Sequence, residues 1–141
     1  YFQELKGQML FENGNIKEAL PYYEKAVTLA PGSHLLHRAL GRVLIESGNP
    51  ESLEHAITNL VIAKDADKTD VFTWRLLGTA YGKAGKMGKS SLALAEEALL
   101  IGKMVDARFH GKRAISLLKK GTTEWMQAQD VIHAVENNKA K

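Results

Sequence analysis

The side chains that could support catalysis or bind a metal are few and poorly clustered. The 141-residue sequence contains five histidines and no cysteine, which excludes a thiolate nucleophile, a disulfide and a thiolate metal site. No histidine belongs to an H-E-x-x-H zinc motif. His34 and His37 share one predicted helix but have no carboxylate close in sequence, so we interpret them as surface histidines. His133 and Glu136 are interpreted as a solvated face, and we expect neither catalysis nor a metal site in this chain.

A glycine-rich stretch between Gly82 and Ser90 resembles a phosphate-binding loop at first sight, because it ends in Gly-Lys-Ser. The phosphate loop requires four residues between its two glycines and a buried strand before them. Here five residues separate Gly82 from Gly88, and the preceding segment has helical periodicity. The stretch is therefore predicted to be a turn between two helices, and nucleotide binding is not expected.

Composition favours an all-helical domain without nucleic-acid or membrane contacts. The chain is 45% hydrophobic and 25% charged, with a net charge of +3. Its basic residues are scattered, whereas a nucleic-acid binder concentrates them on one face. No apolar run is long enough to cross a membrane. The chain begins with Tyr1 rather than Met, so we expect a fragment whose targeting signal is encoded elsewhere.

The glycines form two series that keep step along the chain. Gly7, Gly41 and Gly78 are separated by 34 and 37 residues, and a second series seven residues later, Gly14, Gly48 and Gly85, repeats both spacings. A period near 34 residues is typical of repeated helical hairpins. In the third unit the stretch from Trp74 to Tyr81 reads W-x-x-L-G-x-x-Y. Alanines recur on the second helix of the first two units, at Ala19, Ala26, Ala56 and Ala63.

These motifs resemble the tetratricopeptide repeat family over at least residues 1–85. The resemblance implies an all-α, right-handed α-solenoid of about eight antiparallel helices that binds proteins or peptides. The first glycine series would let paired helices approach closely, and the second would adopt positive φ in the turns. The predicted helices are 2–13, 16–29, 34–47, 51–66, 70–84, 87–101, 104–119 and 122–137.

The last third departs from the family pattern. Helix 87–101 has features of the second helix of one unit and the first helix of the next, so the register slips by half a repeat. We therefore predict units at about 1–32, 33–69, 70–103 and a degenerate 104–121. Residues 122–141 form a capping helix and a frayed end beyond about 136. The capping helix is expected to bury Trp125, Met126, Val131, Ile132 and Val135.

Helix starts are indicated by local signals. Ser33, Asn49 and Asp70 are predicted N-caps, and Pro50 suits the first helical position after Asn49. Asn15 with Glu18 is a predicted capping box. Phe2 and Leu5 are assigned to the apolar face of the first helix.

In tetratricopeptide proteins the first helix of each pair lines the concave groove, so the resemblance implies a binding surface on these helices. Arginines and a lysine would form a basic stripe beside apolar side chains, suited to an extended peptide with carboxylates and apolar residues. The alternative is a set of scattered, solvated arginines. The pattern lacks the Asn-containing clamp for terminal carboxylates. The expected groove residues are Gln8, Phe11, Glu12, Leu35, Arg38, Arg42, Ile45, Phe72, Arg75, Thr79 and Lys83.

A narrower resemblance involves the segments 1–14, 80–85 and 92–100. They are similar to the C-terminal repeats of BepA-like bacterial zinc metalloproteases. That resemblance implies a periplasmic protein in outer-membrane quality control, with the zinc and the catalytic residues in a peptidase domain absent from this chain. The partners would be outer-membrane assembly components or the parent's own protease domain. The alternative is a free-standing adaptor. The sequence does not identify the partner or the oligomeric state.

Overall fold

The computed structural model describes residues 2–139, and the side chains of residues 2–138. Within them the chain forms eight α-helices and no β-strand, as the sequence predicts. Helix ends agree with the prediction to within two residues. The helices are α1 (Phe2–Glu12), α2 (Ile16–Leu29), α3 (His34–Ser47), α4 (Pro50–Ala66), α5 (Val71–Lys83), α6 (Met87–Leu100), α7 (Met104–Leu117) and α8 (Thr123–Lys139).

The chain divides into two compact units, Tyr1–Lys68 and Thr69–Lys141. In the first unit each helix packs on the next one along the chain. The interior of this unit holds large, fully covered aliphatic side chains, with Val43, Leu44 and Leu60 all at 2% exposure or less. Small alanines line the same interior and let the helices lie close together. The unit thus consists of two consecutive helical hairpins.

The second unit is organised around α6, which packs on α5, α7 and α8. Alanines of α6 and α7 meet Val131 and Val135 of α8 in one cluster. A second cluster joins Leu92 of α6, Ala114 of α7 and Ala128 of α8. The shared position of α6 explains why its sequence resembles both members of a helix pair. The glycines at 88 and 111 meet Leu118 and Ile132 closely, which accounts for their place inside helices.

Three of the four predicted N-caps are confirmed. Asn49 Oδ1 accepts a hydrogen bond from the Ser52 N–H at 2.8 Å, and Ser33 and Asp70 cap α3 and α5 in the same way. The predicted capping box at Asn15 is wrong, because that side chain makes no capping hydrogen bond. The backbone of Asn15 has ψ 66, whereas the three working caps are extended with ψ between 101 and 157. An N-cap side chain reaches the helix amides from an extended backbone.

The turn glycines behave as predicted. Gly48 ends α3 with φ 81, a left-handed conformation that costs other residues about 1–2 kcal/mol. Its N–H donates to Ile45 O at 3.2 Å, which satisfies one of the last carbonyls of α3. The reversal of the chain between α3 and α4 therefore depends on a residue without a Cβ.

Some predicted apolar contacts are not formed. Phe2 and Leu5 are 63% and 44% exposed, so they do not join the interior of their unit. Met126 is also exposed, whereas Val131 and Val135 of the same helix are buried as expected.

The end of the chain is helical further than the sequence predicts, because α8 continues to Lys139. The last residues of the predicted frayed segment, 140–141, lie outside the described residues. Over the described part of the chain, no helix combines the length and apolar character of a membrane span.

Candidate functional site

In the first unit the expected groove residues bring a cation and an aromatic ring together. The Arg42 guanidinium on α3 lies over the Phe11 ring of α1, 5.0 Å from its centroid. Both side chains lie on the first helices of their pairs. Leu35, about two helical turns before Arg42 on α3, is 50% exposed. The surface therefore offers the positive charge of Arg42 above a partly buried ring, with one exposed aliphatic side chain on the same helix.

The other expected residues of this unit take different positions. Gln8 Nε2 donates to Glu12 Oε1 at 3.1 Å, so these two exposed side chains are paired along α1. Arg38 is partly buried on α3 and already takes part in an interaction within the chain. Ile45 is only 3% exposed. Its expected place on the groove surface is wrong, because it is packed in the interior and offers almost nothing to a partner.

The pKa of the buried residue Tyr23 is affected by charged side chains of α1 and α3. Tyr23 on α2 is 5% exposed, and burial raises the pKa of its phenol above the ordinary value of 10.0. The carboxylates of Glu4 and Glu12 raise the pKa further, whereas Arg42 lowers it. Charged side chains of α1 and α3 therefore act on the same buried phenol with opposite effects on its pKa.

In the second unit Arg75 is the centre of the expected site. Its guanidinium lies 5.6 Å from the ring centroid of Phe72, a side chain that is 58% exposed. Its Nε also donates to Glu97 Oε1 on α6 at 3.2 Å. Thr79 Oγ1 donates to the Arg75 carbonyl within α5, and Lys83 is exposed at the end of that helix.

Glu97 is the site residue that the sequence analysis missed. Its side chain is 15% exposed, and its second oxygen, Oε2, is buried without a hydrogen-bond partner. It neutralises part of the charge that the predicted basic stripe assigns to Arg75. The two residues are 22 positions apart and on different helices, so no local motif indicates the pair.

The prediction that His37 is a surface residue is wrong. It is 6% exposed, with Nε2 hydrogen-bonded to Pro31 O and Nδ1 to Asn59 Oδ1, both at 2.8 Å. His34 lies apart from it, with Nε2 3.8 Å from Asp67 Oδ2. The imidazole of His37 therefore links the loop before α3 to α4 in a structural role.

The sequence features that suggest metal or phosphate chemistry were compared with the structure at their own positions. The described residues contain no group of three or more histidine, aspartate or glutamate side chains placed to hold a metal ion. Ser90, in the stretch that resembles a phosphate loop, is buried in α6 and donates to Gly78 O at 2.7 Å. What remains at the surface is a set of guanidinium groups beside exposed aromatic and aliphatic side chains.

Consecutive antiparallel helices with small residues at their crossings and glycines in their turns define a helical-repeat protein. Within the chain, residues 10–52 match the family model described as Tetratricopeptide repeat. The matched segment runs from the end of α1 through α2 and α3 into the first turn of α4. A tetratricopeptide repeat is therefore present in the first unit, and such repeats indicate protein–protein interaction. A search of curated proteins gives no match to this chain.

Proposed function

We propose that this chain is a non-catalytic binding module that takes an extended protein segment on the exposed faces of α1 and α3. The segment would carry carboxylates alternating with apolar side chains. The observation that carries the proposal is the Arg42 guanidinium over Phe11, with exposed Leu35 on the same helix. Arg42 is exposed and forms no ion pair with the described residues, so its charge is available to a partner.

The test is titration with a synthetic peptide of alternating Glu and Leu residues. Arg42→Glu places a carboxylate where the peptide's own carboxylates would bind, and a like-charge contact of this kind opposes association. We expect at least a tenfold weaker affinity. Lys25→Glu makes the same charge change on exposed Lys25 of α2 and serves as the matched control. Equal effects of the two substitutions would show only a general electrostatic attraction and contradict the proposal.

We propose further that the module is the C-terminal part of a periplasmic zinc metallopeptidase. The support is the resemblance of segments 1–14, 80–85 and 92–100 to BepA-like proteins. In that setting the module would recruit substrates or cover the protease cleft, and the zinc would belong to the peptidase domain. The isolated chain should bind no stoichiometric zinc and cleave no peptide. Zinc in a one-to-one ratio or peptide cleavage by the pure chain would overturn this assignment.

The alternative is a free-standing adaptor, which the family match to a single repeat equally accommodates. The two possibilities differ in the reading frame upstream of Tyr1. An H-E-x-x-H motif preceded by a signal peptide supports the protease. A methionine codon close to Tyr1 supports the adaptor.

A further inference from the structure

The outer side of α7 combines exposed apolar and basic side chains. Val105 and Phe109, about one helical turn apart, are 83% and 60% exposed. Lys112, Arg113 and Ser116 are exposed on the following turns, and all lie within about 60° of Phe109 around the helix axis. We call these five residues the α7 face. Two large apolar side chains and two positive charges thus share one surface.

The excess positive charge of the chain is concentrated in α7 and the loops at its ends. Residues 101–121 contain six basic residues and one acidic residue, whereas the rest of the chain contains 13 and 15. The basic residues are therefore less evenly scattered than the sequence analysis expects. Lys112, Arg113 and the one carboxylate of this segment, Asp106, form no ion pair with the described residues. The charges of the α7 face are available to a partner.

The exposure of this face does not arise from an end of the sequence. α7 lies between α6 and α8 along the chain, and both helices pack on it. Their contacts cover its inner side, where Ala107, Gly111 and Ala114 are buried. The α7 face is thus the remaining side of a helix that already has both of its neighbours in the chain.

The internal repeat relates α7 to α5. Gly78 of α5 lies against Leu94 of the next helix, and Gly111 of α7 lies against Ile132 of the next helix. The two glycines therefore have the same place in their helix pairs, 33 residues apart. This offset matches each residue of α7 with one of α5.

Two matched positions distinguish the α7 face from a surface that the chain itself buries. Thr73 and Ala80 of α5 have no exposed surface. Asp106 and Arg113 occupy the same positions of α7 and are both exposed. Because burying an unpaired charge is costly, these positions do not suit the apolar side of a further stacked repeat. An exposed apolar patch edged by charges is instead typical of a surface that a separate partner covers.

Charge and apolar surface together select the occupant. A second copy bound through the same face would place like charges together, which opposes association. Nucleic acid would neutralise Lys112 and Arg113 through phosphates but would leave Val105 and Phe109 without apolar contacts. An anionic membrane would face the Asp106 carboxylate, about 60° from Phe109 on α7. A protein helix can supply apolar side chains and carboxylates while satisfying its own backbone hydrogen bonds.

We propose that the α7 face docks an amphipathic helix of an acidic partner protein. Apolar side chains of that helix would cover Val105 and Phe109, and its carboxylates would pair with Lys112 and Arg113. The α7 face shares no residue with the faces of α1 and α3 proposed above for an extended segment. Either proposal can therefore fail while the other holds.

The probes are two synthetic helical peptides that share one Leu/Ala face, flanked by Glu in one peptide and by Lys in the other. Amide chemical shifts of the isotope-labelled chain report where each peptide binds. We expect the Glu peptide to shift residues 104–117 and to bind about tenfold or more tightly than the Lys peptide. Equal affinities, no binding of the Glu peptide, or shifts confined to other helices would overturn the proposal.

A double charge reversal tests the basic half of the face. Lys112→Glu with Arg113→Glu should weaken binding of the Glu peptide by about tenfold or more, because like charges then oppose each other. Lys17→Glu with Lys25→Glu makes the same charge change at two exposed positions of α2 and should change the affinity far less. Equal losses would indicate only a general attraction and contradict a site on α7. The comparison of the two peptides needs no variant and holds even if one fails to fold.

A second pair of variants tests the apolar half. Phe109→Ala should weaken binding of the Glu peptide, whereas Phe72→Ala removes a ring of nearly equal exposure, 58%, from α5 and should leave binding unchanged. Equal affinities of the two variants would show that the exposed ring of α7 is not part of the contact.

Other occupants have their own outcomes in the same shift measurement. Shifts of residues 104–117 caused by phosphatidylserine vesicles or a DNA duplex, but not by the Glu peptide, would overturn the assignment to a protein. Shifts that depend on chain concentration without any ligand would assign the face to a second copy. Where the reading frame continues beyond this chain, failure of the longer protein to bind the Glu peptide would assign the face to a segment of the same polypeptide.

Discussion

Leu60 Cγ lies 2.6 Å from the position that a Cβ on Gly41 would occupy, and Leu60 itself is fully buried. Real Cβ atoms do not approach other heavy atoms so closely, and because Leu60 is fully buried its side chain cannot turn out into solvent. We expect Gly41→Ala to destabilise the fold by about 1–3 kcal/mol, because overpacking outweighs the gain of up to about 1 kcal/mol in helix propensity. Urea unfolding followed by circular dichroism measures this difference.

Gly32→Ala is the matched control for this effect. Gly32 is exposed, and a Cβ there would meet nothing within 4 Å. The free energy of unfolding of Gly32→Ala should stay within about 0.5 kcal/mol of that of the original chain. If Gly41→Ala were equally neutral, the prediction that a Cβ at position 41 clashes with Leu60 would be contradicted.

His37→Leu should destabilise the first unit, although leucine suits a buried helical position. The substitution removes the hydrogen bonds of the buried imidazole to Pro31 O and Asn59 Oδ1, and a typical hydrogen bond contributes about 0.5–1.5 kcal/mol to stability. The unfolding free energy should fall accordingly. His34→Leu changes a histidine that is about one-third exposed and should have little effect. Equal stabilities of the two variants would contradict the structural role of His37.

Tyr23 should make the fold less stable at alkaline pH. Its folded pKa is above the ordinary value of 10.0, so the folded chain favours the neutral phenol more than the unfolded chain does. This contribution is fully present below pH 10 and is lost as the pH rises through the folded pKa. Tyr23→Phe removes the ionisation while keeping the ring. The difference in unfolding free energy between the two chains should therefore change above about pH 10 and stay constant below it.

Trp74→Ala should reduce stability by about 3–5 kcal/mol. Trp74 is 8% exposed, and removing its indole leaves a cavity beside α5. Phe72→Ala, two residues earlier, removes an exposed ring that contacts Arg75 and should cost less than about 1 kcal/mol. Thermal and urea unfolding distinguish these values. A small loss for Trp74→Ala would show that its indole contributes little to the interior.

The helices were predictable because their signals are local. Apolar spacing, turn glycines and the caps at Ser33, Asn49 and Asp70 act within a few residues of the chain, and they place the helix ends to within two residues. The capping box at Asn15 failed because side-chain identity does not determine the backbone angles from which a cap must act. The candidate site was less predictable. Exposed Arg42 and Phe72 follow from helical position, but the burial of Ile45 depends on which helices surround α3.

By itself the sequence determined an all-helical chain of repeated hairpins, because a glycine spacing near 34 residues sets helix lengths, turns and close crossings together. The tertiary structure alone decided which polar groups meet. His37 with Asn59, and Arg75 with Glu97, each join residues 22 apart on separate helices. It also decided that Phe2 and Met9 stay exposed while Leu36 and Val43, at the same repeat positions, are buried. The physical reason is that burial depends on the number of neighbouring helices, and a helix's own residues do not encode that number.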